Sequence, residues 1–216
     1  MRERYRTIYT GGTGELVEKK SRFIATVRPV ESEEQALAFI EEMRKKYWDA
    51  RHNCYAYTVG MNRENTRASD DGEPSQTAGR PMLDVLLGED LYNTAVVVTR
   101  YFGGVLLGTG GLVRAYSGAV SKGLEACTVI EKIYGTVLEV STDYNGYGKL
   151  QYLAAQNDYA VLDTEFTQDV KMRLLISHDQ ADAAVKIITE ATNGRADIEK
   201  TGEQYYARAE GRILTF

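Results

Sequence analysis

The stretch Thr99–Ser117, TRYFGGVLLGTGGLVRAYS, joins a predicted strand to a predicted helix through a run of glycines. The preceding residues 95–98, AVVV, have the β-branched density that is typical of a buried strand. After the glycines, apolar residues return at helical spacing, at Leu112, Tyr116, Ala119, Val120, Leu124 and Cys127. The sequence therefore predicts a strand, a glycine loop and a helix.

The glycine loop is a candidate anion site. Glycines before a helix allow several backbone N–H groups to turn toward one point, where the helix dipole also favours negative charge. No carboxylate lies between Asp90 and Glu125, whereas Arg100, Arg114 and Lys122 do. We therefore predict that this loop binds an anion or nucleic acid, through Arg100, Gly103, Gly104, Gly108, Thr109, Gly110, Gly111 and Arg114.

A second interpretation of these glycines stays open. They would simply let the helix pack closely on the sheet, as Gly118 and Gly123 would do further along. Neither of the two glycine motifs known for phosphate binding, GxxxxGK[ST] or GxGxxG, is present. The predicted architecture is the same in both cases.

Length and composition indicate an ordinary globular protein. The 216 residues are 43% hydrophobic and 26% charged, enough for one large or two small domains. No apolar stretch is long enough to span a membrane, and the N-terminal segment MRERYRTIYTGG has no apolar signal region. We expect a cytoplasmic protein without a membrane partner; its oligomeric state is left open.

Cysteine and histidine usage argues against structural metal. Two cysteines, Cys54 and Cys127, cannot form a disulfide framework, and two scattered histidines, His52 and His178, do not match a zinc pattern. We expect neither a metal nor a cofactor.

The charge is unevenly distributed along the chain. Residues 136–216 hold 8 Lys and Arg against 13 Asp and Glu, which accounts for the whole formal charge of −5. Residues 1–135 are neutral overall. A basic surface for RNA would therefore be local and would lie in the N-terminal part.

A second unusual stretch, residues 67–81, is a predicted loop rich in acids. Its three carboxylates would hold a hard cation or would cap the helix predicted from Pro81 to Leu87. We expect the carboxylates to bind backbone N–H groups and the nearby Arg67 and Arg80 instead of metal. The residues singled out here are Arg67, Ser69, Asp70, Asp71, Gly72, Glu73 and Arg80.

The segment Asp49–Gly60 alternates as a strand, which places His52 and Cys54 on one face. The two side chains would form a nucleophilic Cys–His pair, or they would be a buried thiol beside a hydrogen-bonded histidine. We expect the structural role.

The remaining periodicity predicts two domains, residues 1–134 and residues 135–216. In the first, a bend at Lys19–Arg22 lies within one or two strands, and a Ser32/Gln35 capping box opens a helix that ends near Tyr47. The second reads βαββαβ, the split βαβ order, with a Ser177/Gln180 capping box before its second helix.

Four segments together closely resemble the signature of the IMPACT family, whose bacterial branch is called YigZ-like. They are KKSRFIATV (residues 19–27), DARHNCYAY (49–57), RASDDGEPSQTAGRPML (67–83) and VVVTRYFGGVLLGTGGLVRAYS (96–117). One departure is Gln76, which stands where the family usually has glycine and so bears on any role that needs bare backbone there.

The resemblance implies an α+β protein. Its N-terminal domain would be a two-layer α/β fold with a left-handed crossover, like a ribosomal protein and domain IV of the translocation elongation factor, followed by a ferredoxin-like domain. Eukaryotic relatives regulate translation by binding the activator of a stress kinase. No catalytic residue is implied.

We therefore expect a non-enzymatic, translation-associated regulator that binds RNA, the ribosome or a translation-related protein through its N-terminal domain. Two alternatives remain. One is an enzyme that acts on a phosphorylated small molecule through Asp70, Asp71 or Glu73 and the glycine loop; the other is a pure protein-interaction module.

Overall fold

The structure is a computed structural model that describes residues 2–209 and 211–216. Its contacts divide the chain into an N-terminal unit, residues 5–130, and a C-terminal unit, residues 131–216 together with the first residues as far as Arg4. The boundary predicted at residues 134/135 falls inside one continuous strand, Thr128–Thr142. No described helix is long and apolar enough to cross a membrane.

The N-terminal unit combines seven strands with three helices. The strands Arg4–Thr10 and Leu91–Tyr92 pair in parallel. The other five strands form a separate antiparallel sheet in the order Gly12–Glu18, Ser21–Pro29, Thr94–Tyr101, His52–Val59, Asn65–Ser69. The elements are β1 (Arg4–Thr10), β2 (Gly12–Glu18), β3 (Ser21–Pro29), α1 (Glu33–Lys46), β4 (His52–Val59), β5 (Asn65–Ser69), α2 (Gly79–Gly88), β6 (Leu91–Tyr92), β7 (Thr94–Tyr101) and α3 (Thr109–Glu125).

The central strand β7 is buried on both faces. Val96 and Val98 pack in the cluster formed with α2 and α3, whereas Ala95 and Val97 pack in the cluster formed with α1. Helices therefore cover both faces of the sheet, and the unit has three layers where the resemblance implied two. An uninterrupted apolar strand requires this, because each face of such a strand must be kept from water. The left-handed crossover stays a prediction.

Local sequence signals account for most of these boundaries. Ser32 Oγ accepts from the backbone N–H of Gln35 at 3.3 Å, and the Gln35 side chain accepts from the N–H of Glu31 at 2.8 Å, so the predicted cap of α1 is confirmed. Lys19 and Lys20 both have positive φ, 45° and 67°, and form the tight turn between β2 and β3. Strand β5, NTRAS, was not predicted because it is short, polar and at the sheet edge.

The C-terminal unit has the ferredoxin-like arrangement. Its strand order β11-β8-β10-β9 is antiparallel throughout, and a further strand, β12, extends the sheet beside β11. The predicted βαββαβ order and the mixed α+β class are confirmed. The elements are β8 (Thr128–Thr142), α4 (Tyr144–Gln156), β9 (Ala160–Phe166), β10 (Val170–Ser177), α5 (Ala181–Ala191), β11 (Asp197–Ala209) and β12 (Arg212–Thr215).

One predicted helix cap of this unit is wrong. A 3-10 turn at His178–Gln180 separates Ser177 from α5, so the helix begins at Ala181 and not at Asp179. The Ser177 hydroxyl is buried and has no hydrogen-bond partner. A capping box needs its serine directly before the helix, and the turn removes that geometry.

The packing of α3 on the sheet gives a first prediction. Gly14 of β2 lies against the backbone of Lys122 and Gly123 in α3, so an added Cβ would overlap main-chain atoms. We expect Gly14→Ala to lower the free energy of unfolding by about 1–3 kcal/mol. Urea denaturation followed by far-UV circular dichroism measures the change.

The control for this prediction is Gly88→Ala at the end of α2, where no atom lies within 4 Å of the added Cβ. We expect that variant to match wild type or to gain up to about 1 kcal/mol. Equal effects of the two substitutions would contradict the close approach of α3 to β2.

Candidate functional site

The acidic loop after β5 is held by its own first carboxylate. Asp70 Oδ1 accepts from the backbone N–H groups of Ala78 and Gly79, each at 2.9 Å, and Oδ2 accepts from that of Gln76 at 2.8 Å. Burial opposes ionisation, but the three N–H groups outweigh it and hold the pKa of Asp70 below its ordinary value. Because α2 begins at Gly79, the capping interpretation of this acid is confirmed.

Gln76 occupies a backbone conformation that favours glycine. Its φ is 63°, in the left-handed region, and its N–H group is the one that donates to Asp70. The glycine that the family pattern implies here would meet the same requirement without strain. The backbone N–H at this position closes the acidic loop on Asp70, and Gln76 makes that contact in place of glycine.

The second carboxylate fixes the start of β4. Asp71 Oδ2 accepts from the backbone N–H of Asn53 at 2.7 Å, and Oδ1 accepts from Arg44 at 3.3 Å. The carbonyl oxygen of Asp71 lies 2.8 Å from Nδ1 of His52. Since a carbonyl only accepts, Nδ1 of His52 is the donor in this contact.

The third carboxylate forms a buried ion pair. Glu73 Oε1 accepts from Arg100 Nη1 at 2.6 Å and from the Tyr116 hydroxyl at 2.8 Å. The side chains of Arg100 and Glu73 are only 8% and 4% exposed, and Arg100 Nε is buried without a hydrogen-bond partner. Arg100 also lies over the rings of Phe23 and Phe102, at 5.3 and 5.6 Å from their centroids.

This ion pair corrects the expectation for Arg100. It was predicted to be a side-chain donor to a bound anion, because no acid is near it in the sequence. Glu73, 27 residues earlier, neutralises it in the fold. A similar correction applies to Lys122, which pairs with Glu125 at 2.7 Å.

The three carboxylates of the acidic loop have different partners and do not converge on one point. Ser69 Oγ accepts from the N–H of Asp71 at 3.2 Å, and Gly72, with φ of 86°, lies against the His52 ring. In the part of the chain that the structure describes, no group of three or more His, Cys, Asp or Glu side chains could hold a metal ion.

The arginines expected to pair with the acidic loop have other partners. Arg67 pairs with Glu33 at 3.2 Å, and Arg80 pairs with Asp84 at 2.8 Å. The carboxylates do accept bonds from arginines, as expected, but these are Arg44 and Arg100. Proximity in sequence does not decide the partners here, because the fold brings Arg44 and Arg100 to the loop from other elements.

Cys54 is placed as a structural residue. It is fully buried, its Sγ donates to the carbonyl oxygen of Asp70 at 3.0 Å, and it lies 3.3 Å from the Tyr116 hydroxyl. Burial raises the pKa of the Cys54 thiol well above its ordinary value, and burial likewise raises the pKa of Tyr116. A thiol that stays protonated is a poor nucleophile, so these contacts support the structural interpretation.

The glycines of the loop meet two structural requirements, a close backbone approach and positive φ angles, and anion binding stays a prediction. Gly103 lies against the backbone of Lys20 and Ser21, which leaves no room for a Cβ, and its N–H donates to Ser21 Oγ at 3.1 Å. Gly104 and Gly108 have positive φ, 85° and 73°. Gly108 is the residue before α3, so no side chain caps this helix at its N-terminus. In the first turn of α3, Thr109 and Gly110 are exposed and Gly111 is half-buried.

A cavity of about 480 Å³ lies beside this loop, where β4 begins and β7 ends. Phe102 and Leu106 form its apolar part and are 54% and 82% exposed. Tyr101 donates its hydroxyl proton to Asp49 Oδ1 at 2.7 Å. The lining consists of Asp49, Arg51, His52, Arg100, Tyr101, Phe102 and Leu106.

Four free cations lie in the cavity lining or next to the glycine loop. Lys19, Lys20, Arg51 and Arg114 are exposed and make no hydrogen bond or ion pair with any described side chain. Lys20 adjoins Gly103, and Arg114 Nη1 lies near Gly110. We call the area formed by Lys19, Lys20, Arg51, Phe102, Leu106 and Arg114 the glycine-loop surface.

Sequence reasoning found only part of this site. It did not single out Phe102 or Leu106, although apolar residues inside a glycine loop are the signal that would have found them. It took Tyr116 only as a core residue of the helix. No sequence signal indicates that the Tyr116 hydroxyl bridges Glu73 and Cys54, because that contact depends on three separate elements.

Comparisons with known proteins agree with this two-unit α+β architecture. Residues 19–124 match the Impact N-terminal domain, and residues 140–195 match a domain of unknown function, DUF1949. A Bacillus subtilis protein, IMPACT family member YvyE, is 39% identical over 209 residues, which cover 97% of this chain and 96% of that protein. Escherichia coli IMPACT family member YigZ is 38% identical over 160 residues, 73% of this chain and 78% of its own length.

A solved structure is similar as well. The crystal structure of a hypothetical protein covers 94% of this chain and 99% of its own, with 31% identity and a TM-score of 0.60. The protein is thus a two-domain α+β protein with an Impact N-terminal domain. It belongs to the IMPACT family.

The buried ion pair gives the second prediction. Arg100→Met leaves the Glu73 carboxylate buried without its cation, so we expect the free energy of unfolding to fall by about 3–5 kcal/mol. Adding Glu73→Gln should recover part of that loss, because the remaining group is neutral. Urea denaturation followed by far-UV circular dichroism measures both variants.

Arg80→Met is the matched control, because the Arg80–Asp84 pair is exposed and should contribute less than about 1 kcal/mol. If Arg100→Met were no more harmful than Arg80→Met, the ion pair would not have the structural role described here.

The lowered pKa of Asp70 gives the third prediction. A carboxylate whose pKa is lowered by folding stabilises the fold at pH values above its ordinary pKa of 3.8. This contribution is lost as the pH falls through the folded-state pKa. We expect Asp70→Asn to cost about 0.5–2 kcal/mol at pH 7, as for other helix caps. The difference in the free energy of unfolding between wild type and Asp70→Asn should be smaller at pH 3. An equal difference at pH 7 and pH 3 would argue against an ionised Asp70 as the cap of α2.

Proposed function

We propose that the protein is a translation-associated regulator that binds single-stranded RNA, free or in the ribosome, through the glycine-loop surface of its N-terminal unit. The observation that supports this most strongly is the set of free cations, Lys19, Lys20, Arg51 and Arg114, beside the exposed Phe102 and Leu106.

The cations supply the electrostatic part of the proposed contact. An unpaired, exposed Lys or Arg gains a phosphate partner without first losing a protein carboxylate. The uncapped N-terminus of α3 adds backbone N–H donors next to Arg114, an arrangement that favours phosphate oxygens. The backbone of Lys20 lies against Gly103, in the same loop that leads into α3.

The exposed apolar side chains favour single-stranded RNA over a duplex. Phe102 offers a ring on which an unstacked base would lie, and bases within a duplex are not available for such stacking. Arg100 does not contact phosphate in this proposal. Its guanidinium lies over the Phe102 ring and positions it from the buried side.

The link to translation comes from the family. The motifs in residues 19–117 resemble those of the IMPACT family, and the eukaryotic relatives in that family regulate translation. The acidic C-terminal unit does not take part in the RNA contact we propose, since its 13 carboxylates against 8 basic residues over 136–216 would repel phosphate.

The fourth prediction tests the electrostatic contact. We expect the triple variant Lys19→Ala, Lys20→Ala, Arg114→Ala to bind a 12-nucleotide oligouridine more weakly than wild type. The slope of log affinity against log salt should fall by about 2 units, because three phosphate contacts of a single strand are lost. Fluorescence anisotropy at several salt concentrations gives both values.

The control is a triple variant with the same charge change outside this surface, Lys45→Ala, Lys186→Ala, Arg195→Ala, which should keep the wild-type slope. If the two triple variants bound alike, the proposed surface would be wrong. If ribosome co-sedimentation survived ribonuclease and depended little on salt, the partner would be a protein and not RNA.

A further inference from the structure

We propose that the cavity beside the glycine loop binds one unpaired base of the RNA, and that it selects guanine. This inference rests on the proposed function, since it names what the same surface reads once the phosphates have brought a strand to it. Its basis is the combination of an apolar wall with a fixed carboxylate and two guanidinium groups in one cavity.

The size and the wall of the cavity suit a nucleobase. A volume of about 480 Å³ lies in the range of small-molecule sites, roughly 300–1,000 Å³. Phe102 and Leu106 are too exposed to serve the core, at 54% and 82%. A base that covers them removes their apolar surface from water and stacks on the Phe102 ring.

The polar groups of the cavity favour guanine. The Asp49 carboxylate only accepts hydrogen bonds, whereas Arg51 and Arg100 only donate. Guanine places two neighbouring donors, N1–H and the N2 amino group, beside the acceptors O6 and N7, which arginine recognises. Adenine has a lone pair at N1, which would face the carboxylate unfavourably.

These groups are held in position before any ligand arrives. The Tyr101 hydroxyl donates to Asp49 at 2.7 Å, the carbonyl of Asp71 orients His52 at 2.8 Å, and Glu73 holds Arg100. Binding therefore costs little ordering of side chains, apart from Arg51. The structural network beneath the cavity thus supports base selection as well as stability.

Trp48 makes the proposal directly measurable. It is the single tryptophan, it is 82% exposed, and it precedes Asp49 in the chain. We expect guanosine monophosphate to change Trp48 fluorescence and to bind about 10–100-fold more tightly than adenosine or uridine monophosphate. Inosine monophosphate, which lacks the amino group, should fall between them. Equilibrium dialysis with the labelled nucleotides gives the affinities independently of fluorescence.

Matched variants assign the selection to the cavity. Asp49→Asn should lower the affinity for guanosine monophosphate at least tenfold, and Phe102→Ala should lower the affinity for all four nucleotides. The controls lie in the C-terminal unit: Asp179→Asn changes an exposed aspartate, and Phe166→Ala changes a phenylalanine that is 55% exposed, close to the 54% of Phe102. Neither control should change the affinity for any of the nucleotides. The proposal would be overturned by equal affinities of the wild type for guanosine and adenosine monophosphate. It would also be overturned if Asp49→Asn bound guanosine monophosphate as tightly as wild type.

The two proposals fail separately. Asp49→Asn should not weaken oligouridine binding, because it removes a negative charge. The triple variant of Lys19, Lys20 and Arg114 should lose oligouridine binding but keep its preference for guanosine monophosphate. Oligouridine binding without guanine selection overturns the inference alone. Guanine selection without any salt-dependent binding of RNA overturns the proposed function and leaves a nucleotide-binding cavity.

Discussion

The buried pair of Arg100 and Glu73 is the interaction on which the site of the N-terminal unit depends. Away from water, each charge needs the other, because either one alone would carry an uncompensated desolvation cost. Arg100 comes from the end of β7 and Glu73 from the loop after β5, so the pair joins the sheet to the acidic loop. The Tyr116 hydroxyl adds α3 to the same network.

The acidic loop is therefore held by polar contacts and not by an apolar core. Asp70 caps α2, Asp71 secures the start of β4, and Glu73 reaches the sheet end, so each carboxylate fixes a different element. Each of these three carboxylates thus accepts at least one hydrogen bond from the protein itself. The loop also orients His52 and Arg100, and the rigid side of the cavity is built from those two side chains.

Regular elements were predictable because their signals are local. The cap at Ser32 and the periodicity of the βαββαβ unit depend on residues that are close in sequence, and both are confirmed. Contacts between distant segments were not predictable. Arg100 lies in a window without acids, yet Glu73 neutralises it, and Arg67 and Arg80 lie next to the acidic loop but pair elsewhere. The extra strand β12 was missed because its four residues, RILT, carry too short a pattern.

The same distinction explains how a segment that is neutral in composition has free cations beside the cavity. Residues 1–135 have as many acids as bases, but pairing in the fold decides which charges remain available. Around the cavity, Glu15 pairs with Arg22, Asp71 with Arg44 and Glu73 with Arg100. Every one of these carboxylates is satisfied within the fold, whereas the cations at Lys19, Lys20, Arg51 and Arg114 are not. Net charge therefore says little about where such a protein would meet a phosphate, because the available charge is what remains after the structural pairs have formed.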